Sequence, residues 1–186
     1  MKKILLMALF AIVAVGASAQ RNISIWWGGN VANITDGDSE FKALNIGVTY
    51  TAPIDDTFDW SAGVSYASKG CDGWDPGFIQ IEGNGAWNFV KGSEANVGLF
   101  TGPYLAFMVA KDNEVRDVEV FETNTVDFGW QAGLTAGWKF LTFKLGYEFG
   151  FCNMIKKADI NIGDDVVIKG NDSKAGDFFF RIGFRF

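Results

Sequence analysis

Apolar and polar side chains alternate with a period of two through almost the whole chain after residue 20. This alternation is typical of β-strands, in which successive side chains point to opposite faces of a sheet. In one such run, Leu44 and Ile46 share a face and Asn45 lies on the other. Eight runs of this kind follow one another, the first at about residues 21–29 and the last at residues 178–186. The sequence therefore predicts an all-β domain of eight strands.

The composition of the two faces indicates which one points outward. The chain holds 18 Phe and 7 Trp, and many of them fall on the apolar faces, whereas the opposite faces are rich in Gly, Ala, Ser and Asn. The interior of an eight-stranded barrel is just wide enough for ordinary side chains to fill it. The small polar face fits inside and the large apolar face requires lipid outside. We expect an eight-stranded antiparallel up-and-down transmembrane β-barrel, integral to the bacterial outer membrane.

A soluble, secreted, lipocalin-like barrel that binds a small apolar ligand is the alternative interpretation. Its strands would alternate in the same way, but with the apolar side chains inside. The summed volume of the aromatic side chains disfavours this second orientation.

The predicted connections alternate between short and long. Short turns are expected near residues 53–57, 91–94 and 140–142, and long ones at residues 30–40, 111–124 and 153–176. Outer-membrane barrels have short periplasmic turns and longer external loops. Four aromatic residues close to the short turns form a candidate interfacial girdle: Trp60, Trp87, Trp138 and Phe140.

The N-terminal residues have the organisation of a secretory signal peptide. A basic start, Met1–Lys3, precedes an apolar run at residues 4–15 and a small-residue A-x-A pattern ending at Ala19. We expect residues 1–19 to be removed and residues 20–186 to form one outer-membrane barrel domain. Loss of two lysines leaves 14 basic and 22 acidic residues, a net charge of −8, which argues against nucleic acid as a partner.

Catalytic and metal-binding chemistry is poorly supported. The chain contains no histidine, the commonest general base and partner of a nucleophile. Zinc would lack its commonest nitrogen ligand. We therefore predict a non-enzymatic protein without a cofactor or metal.

The charged residues on the polar faces form a balanced set. A buried charge is costly unless it is paired, and arginine suits bidentate pairing with carboxylates. We expect Arg181 and Arg185 to pair with acids inside the barrel and to plug it. The predicted lumenal charge network comprises Asp59, Glu82, Asp127, Lys139, Lys144, Glu148, Arg181 and Arg185.

The external end offers two further features. Cys71 and Cys152 both fall at this rim, and their disulfide is an open possibility, since a bridge needs Cα atoms within about 7 Å. The predicted external loops are acidic, which suits a loop-binding protein partner or divalent-cation bridges to lipopolysaccharide. Their acids are Asp36, Asp38, Glu40, Asp72, Asp75, Glu114, Asp117, Glu119 and Glu122.

The chain after residue 20 resembles small outer-membrane β-barrel proteins of the porT type and, more loosely, the eight-stranded OmpA/OmpX-like barrels. The resemblance rests on Gly102-Pro103-Tyr104-Leu105, on Phe128-Gly129 with Ala136-Gly137, and on the run from Phe180 to Phe186. It implies contact with outer-membrane lipid and a role in assembly or secretion at the envelope. It also implies that Phe184 and Phe186 belong to a C-terminal signal for the barrel-assembly machinery.

Overall fold

The computed structural model describes residues 22–34, 40–69, 76–110, 125–155, 160–161, 167–168 and 173–186. Eight long strands of 11 to 16 residues dominate these ranges. They are β1 (Ile23–Ile34), β2 (Glu40–Pro53), β3 (Phe58–Ser68), β4 (Gly77–Lys91), β5 (Ala95–Ala110), β6 (Val126–Trp138), β7 (Leu141–Ile155) and β10 (Ser173–Arg185). Two short strands, β8 (Ile160–Asn161) and β9 (Val167–Ile168), pair only with each other. No helix long and apolar enough to span a membrane occurs in the described ranges.

The eight long strands close into one antiparallel barrel. Each strand pairs with its neighbours in the chain, and β1 closes the ring by pairing with β10. Strands of this length reach or exceed the 9–11 residues that a tilted transmembrane strand needs. The prediction of an eight-stranded up-and-down transmembrane β-barrel is confirmed.

The alternation in the sequence places one set of side chains inside the barrel and the other set on its outer surface. In β3, Ser61 and Ser65 are buried in the lumen, while Val64 between them is 53% exposed on the outer surface. The outer surface carries large apolar side chains on every long strand, such as Trp87 on β4 and Phe149 on β7. This is the orientation that lipid stabilises, and it is opposite to that of a lipocalin-like barrel.

Several strands extend beyond their predicted ends. β1 continues to Ile34, with a register shift between Gly28 and Asn30, and β7 continues to Ile155. The stretches at residues 30–40 and 153–176, predicted as loops, are thus partly strand. Main-chain hydrogen bonding continues the ladder wherever a neighbouring strand is present, whatever the polarity of the side chains.

The short turns lie at one end of the barrel, together with Asn22 and Phe186. In the β2–β3 turn, Oδ1 of Asp55 accepts hydrogen bonds from the backbone N–H groups of Thr57 (2.7 Å) and Phe58 (2.8 Å). These bonds favour the ionised carboxylate and lower the pKa of Asp55 from its ordinary value of 3.8. We call this the short-turn end.

Candidate functional site

The guanidinium of Arg181 lies at the centre of the lumen and joins two acids. Nη1 lies 2.6 Å from Oε2 of Glu82, and Nη2 lies 3.2 Å from Oε1 of Glu148. The flat group is flanked by two aromatic rings, those of Trp26 and Phe179, each with its centroid 4.2 Å away. Arg181 is only 2% exposed, so these charge-assisted hydrogen bonds form away from bulk water.

Glu148 joins this pair to a second group of charges farther from the short-turn end. Its Oε2 receives Lys69 Nζ at 2.5 Å, and its Oε1 accepts a hydrogen bond from the Gln80 amide at 2.8 Å. Lys69 Nζ also lies 3.5 Å from Oδ2 of Asp177. Each of these charged side chains is therefore buried with an opposite charge, as burial demands.

Glu82 has further partners on two other strands. The Gln131 amide donates to its Oε2 at 3.1 Å, and Lys144 Nζ lies 3.6 Å from its Oε1. Lys144 also lies 4.9 Å from the centroid of the Phe100 ring. The acid is thus shared between a close arginine and a more distant lysine.

The other predicted network residues are distributed along the lumen. Asp127 is fully buried and accepts a hydrogen bond from the Tyr104 hydroxyl at 2.8 Å. Asp59 lies near the short-turn end, paired with Lys91 at 2.9 Å. Arg185 is half-buried at the same end and has no carboxylate within ion-pair distance among the described residues. The pairing expected for Arg181 is present in the structure, whereas that expected for Arg185 is not.

Lys139 does not belong in the network, and its placement inside the barrel is wrong. β6 ends at Trp138, and Lys139 occupies the following turn with a positive φ of 54°. Its exposed Nζ lies 3.8 Å from Glu94, across the neighbouring turn. Side chains alternate between the two faces only while the chain is an extended, paired strand, so the rule does not apply to a residue in a turn.

Lys69 and Asp177 are the charged members that the sequence analysis missed. Both lie just beyond the predicted strand ends, yet both continue the inward parity of their strands: Asp177 is four residues before Arg181, and Lys69 is four after Ser65. Extending the alternation by one or two more residues would have revealed them.

Large aromatic side chains occupy part of the lumen, which the sequence analysis expected to hold small residues. Glycines on facing strands leave the space: a Cβ on Gly146 would lie 2.9 Å from Cζ of both Phe100 and Phe179. Trp26 and Phe179 each stand next to other aromatic residues in the sequence, and one member of such a run must point inward. The inward aromatics are Trp26, Phe78, Phe100, Tyr104 and Phe179.

Between Arg181 and the short-turn end, the lumen contains a cavity of about 50 Å³. Its inner limit is formed by Trp26, Phe100, Lys144 and Arg181, and its wall toward the turns includes Arg185. Hydroxyl and amide side chains make up most of the remaining wall: Ser24, Thr49, Thr51, Ser61, Asn88, Asn96, Thr135 and Thr142. We call this space the vestibule.

The candidate girdle residues all face outward near the short-turn end. Trp60, Trp87, Trp138 and Phe140 are each about half exposed, and the Phe140 ring stacks on that of Phe184 at 6.1 Å. Phe186 is also exposed. This placement is consistent with contact between these rings and the membrane interface.

Two features of the external end lie largely outside the described residues. Cys152 is half-buried in β7, but Cys71 is outside these residues, as are all the acidic loop positions except Glu40. No group of His, Cys, Asp and Glu suited to a metal ion occurs in the part of the chain that the structure describes.

No family model and no curated protein matches the sequence. Among solved structures, the chain is similar to the outer membrane enzyme PagL, with 10% identity and a TM-score of 0.51 over 86% of this chain and 97% of that chain. It is also similar to OprG from Pseudomonas aeruginosa, with 13% identity and a TM-score of 0.49 over 90% of this chain and 97% of that chain.

With the closed topology and the outward apolar surface, the match to PagL decides the fold. The chain has the fold of the small eight-stranded outer-membrane β-barrels. This outer-membrane barrel fold says nothing by itself about activity, because unlike functions occur on one architecture. The candidate site is the lumen, with the ion pairs of Arg181 at its centre and the vestibule at its short-turn end.

Proposed function

We propose that this chain is a non-enzymatic integral outer-membrane barrel, with a lumen closed by ion pairs and external loops that contact envelope or surface partners. The observation that carries the closed lumen is the pair of ionic contacts that Arg181 makes with Glu82 and Glu148. These groups come from three different strands and fill the centre of a barrel that is narrow to begin with.

Energetics favour a lumen that stays closed. Opening a path through the centre would separate buried charges from their partners, and breaking one such pair costs about 3–5 kcal/mol. The aromatic rings of Trp26 and Phe179 hold the Arg181 guanidinium from both sides, which adds to that cost. Water and ions are thereby denied a continuous path.

The non-enzymatic assignment is supported by the residues that the lumen contains. The chain lacks histidine altogether, and the central carboxylates are engaged by arginine, lysine and amide groups. An acid–base pair requires a group that is free to exchange a proton with a substrate. The likeness to PagL, described as an outer membrane enzyme, extends only to the fold.

Planar-bilayer recording tests the closed lumen. Purified native protein should give no large, stable channels, whereas Arg181→Ala should introduce frequent current steps because the centre of the lumen loses the side chain that connects Glu82 and Glu148. Lys139→Ala, a change of the same charge at an exposed turn, is the control and should behave like the native protein. Large, stable channels from the native protein would refute the proposal.

The external interactions are proposed from the charge of the loops. Acidic side chains bind divalent cations weakly, and such cations can bridge to the phosphates of lipopolysaccharide. Calcium-dependent binding of lipopolysaccharide to the refolded barrel, reduced when Asp36 and Asp38 are both changed to Asn, would support this contact. Equal binding with and without calcium would contradict it and favour a protein partner for the loops.

Export and assembly complete the proposal. We propose that residues 1–19 are a signal peptide and that residues 20–186 enter the outer membrane through the barrel-assembly machinery, aided by Phe184 and Phe186. Isolated outer membranes should contain a band that shifts on boiling and begins at Gln20. Phe186→Ala should lower the amount of shifted band, and a protein found soluble in the periplasm would overturn the location.

A further inference from the structure

Three cationic side chains of the vestibule have buried nitrogen atoms without a hydrogen-bond partner in the structure. They are Lys144 Nζ, Arg181 Nε and Arg185 Nε, and all three residues line the same cavity. A buried donor left unsatisfied costs about 1–3 kcal/mol, and more when it is charged. Three such donors around one space indicate that something accepts their hydrogen bonds there.

Two acids lie nearby, but neither forms a hydrogen bond with any of these three nitrogens. Both carboxylate oxygens of Asp59 are occupied, Oδ1 by Lys91 and Oδ2 by the Asn88 amide at 2.7 Å. Oε2 of Glu82 receives Arg181 Nη1, and its Oε1 is 3.6 Å from Lys144, too far for a hydrogen bond. The protein therefore supplies no acceptor for these three nitrogens within the described residues.

The position of the charges, rather than their number, distinguishes an anion from water as the acceptor. With Asp127 included, the acids and cations of the lumen are equal in number, but the ion pairs formed are those of Lys69, Lys91, Lys144 and Arg181. Arg185 is the cation of the vestibule that has no carboxylate within ion-pair distance among the described residues. Water can accept a hydrogen bond but cannot neutralise a partly buried charge, whose isolation is costly.

We propose that the vestibule is a binding site for one small oxyanion, held between Lys144 and Arg185 and on the short-turn side of Arg181 Nε. The cavity of about 50 Å³ exceeds the ~15 Å³ that a single water needs. Wall hydroxyls such as those of Thr135 and Thr142 are additional donors for a group of phosphate or carboxylate chemistry. The anion enters from the short-turn end, and the Arg181 ion pairs close the other side.

This inference goes beyond the proposed function and is tested separately from it. Full-length barrel, refolded in detergent with its arginine side chains labelled with ¹⁵N, is titrated with inorganic phosphate and, in a second arm, with acetate. The Nε–H signals of Arg181 and Arg185 should shift saturably in at least one arm. The arm with the tighter binding identifies the class of oxyanion.

Variants decide whether the shift reports this site. Arg185→Gln, which breaks no ion pair, and Lys144→Gln should each weaken binding by roughly 10- to 100-fold, as expected for one charged hydrogen bond. Lys139→Gln removes the same charge from the surface of the same end and should leave binding within about twofold. Native mobility of unboiled samples establishes that each variant is folded.

Two results would overturn the proposal. One is the absence of a saturable shift with either anion, which would leave water as the only acceptor. The other is an equal loss of affinity in Lys139→Gln and Arg185→Gln, which would mean that the anion responds to surface charge in general.

Discussion

Arg181 and Glu82 meet across the full diameter of the barrel, with Nη1 and Oε2 2.6 Å apart. Their strands, β10 and β4, are four positions apart in either direction around the eight-stranded ring. Lys69, directly after β3, and Glu148 on β7 form a second contact between opposite walls. Two crossed ion pairs thus connect walls that share no main-chain hydrogen bonds.

Removal of Arg181 should destabilise the barrel strongly. Arg181→Ala leaves Glu82 and Glu148 buried without their shared cation, which should lower the free energy of unfolding by about 3–5 kcal/mol. Urea unfolding in detergent micelles, followed by tryptophan fluorescence, measures the change. Lys139→Ala breaks the exposed contact with Glu94 and should change stability by less than about 1 kcal/mol. Similar losses in both variants would mean that the central pair contributes little.

A methyl group at Gly146 should be poorly tolerated. Its Cβ would approach Cζ of Phe100 and of Phe179 to 2.9 Å and the Ala132 carbonyl oxygen to 2.8 Å. Overpacking of this kind costs about 1–3 kcal/mol. Gly83→Ala is the matched control, because nothing lies within 4 Å of the added Cβ. The prediction fails if the two variants unfold at the same urea concentration.

Contact with lipid should be extensive for Trp138 and absent for Trp26. This difference shows which face of the barrel wall points outward. Trp138 is 56% exposed on the outer surface, whereas Trp26 is buried in the lumen. In single-tryptophan variants refolded into bilayers with brominated lipids, fluorescence of Trp138 should be strongly quenched and that of Trp26 should not. Strong quenching of Trp26 alone would show that the faces are reversed.

The β2–β3 turn should lose stability in acid through Asp55. Its lowered pKa means that the unfolded chain binds the proton more tightly. The contribution is therefore present above pH 3.8 and lost as the pH falls through the folded-state pKa. The urea midpoint of the native barrel should exceed that of Asp55→Asn at pH 7, and the gap should close below pH 3.8. Asp56→Asn, in the same exposed turn, is the control, and a gap that persists in acid would contradict the assignment.

The strand count and the orientation of the two faces could be predicted from the sequence because a strand has a strict side-chain period of two. Val64 and Ser65 fall on opposite faces in the structure as the alternation requires. The same rule misplaced Lys139, since one residue beyond β6 the chain has already turned.

The members of the central network were only partly predictable. Alternation identifies Arg181, Glu82 and Glu148 as inward, but a pairing across the barrel depends on register and closure, which juxtapose residues 99 and 33 positions apart. Lys69 and Asp177 were missed because strand ends depend on main-chain pairing with neighbours, a property that side-chain polarity does not encode.

The sequence by itself determined the architecture: eight amphipathic strands, an outer surface suited to lipid, and no histidine for catalysis. Only the tertiary structure decided which charges neutralise one another, leaving Arg185 beside an open vestibule while Asp59 pairs with Lys91. The reason is physical. The face of a residue follows from its neighbours in the chain, whereas an ion pair is a distance of a few ångströms that only the closed barrel establishes.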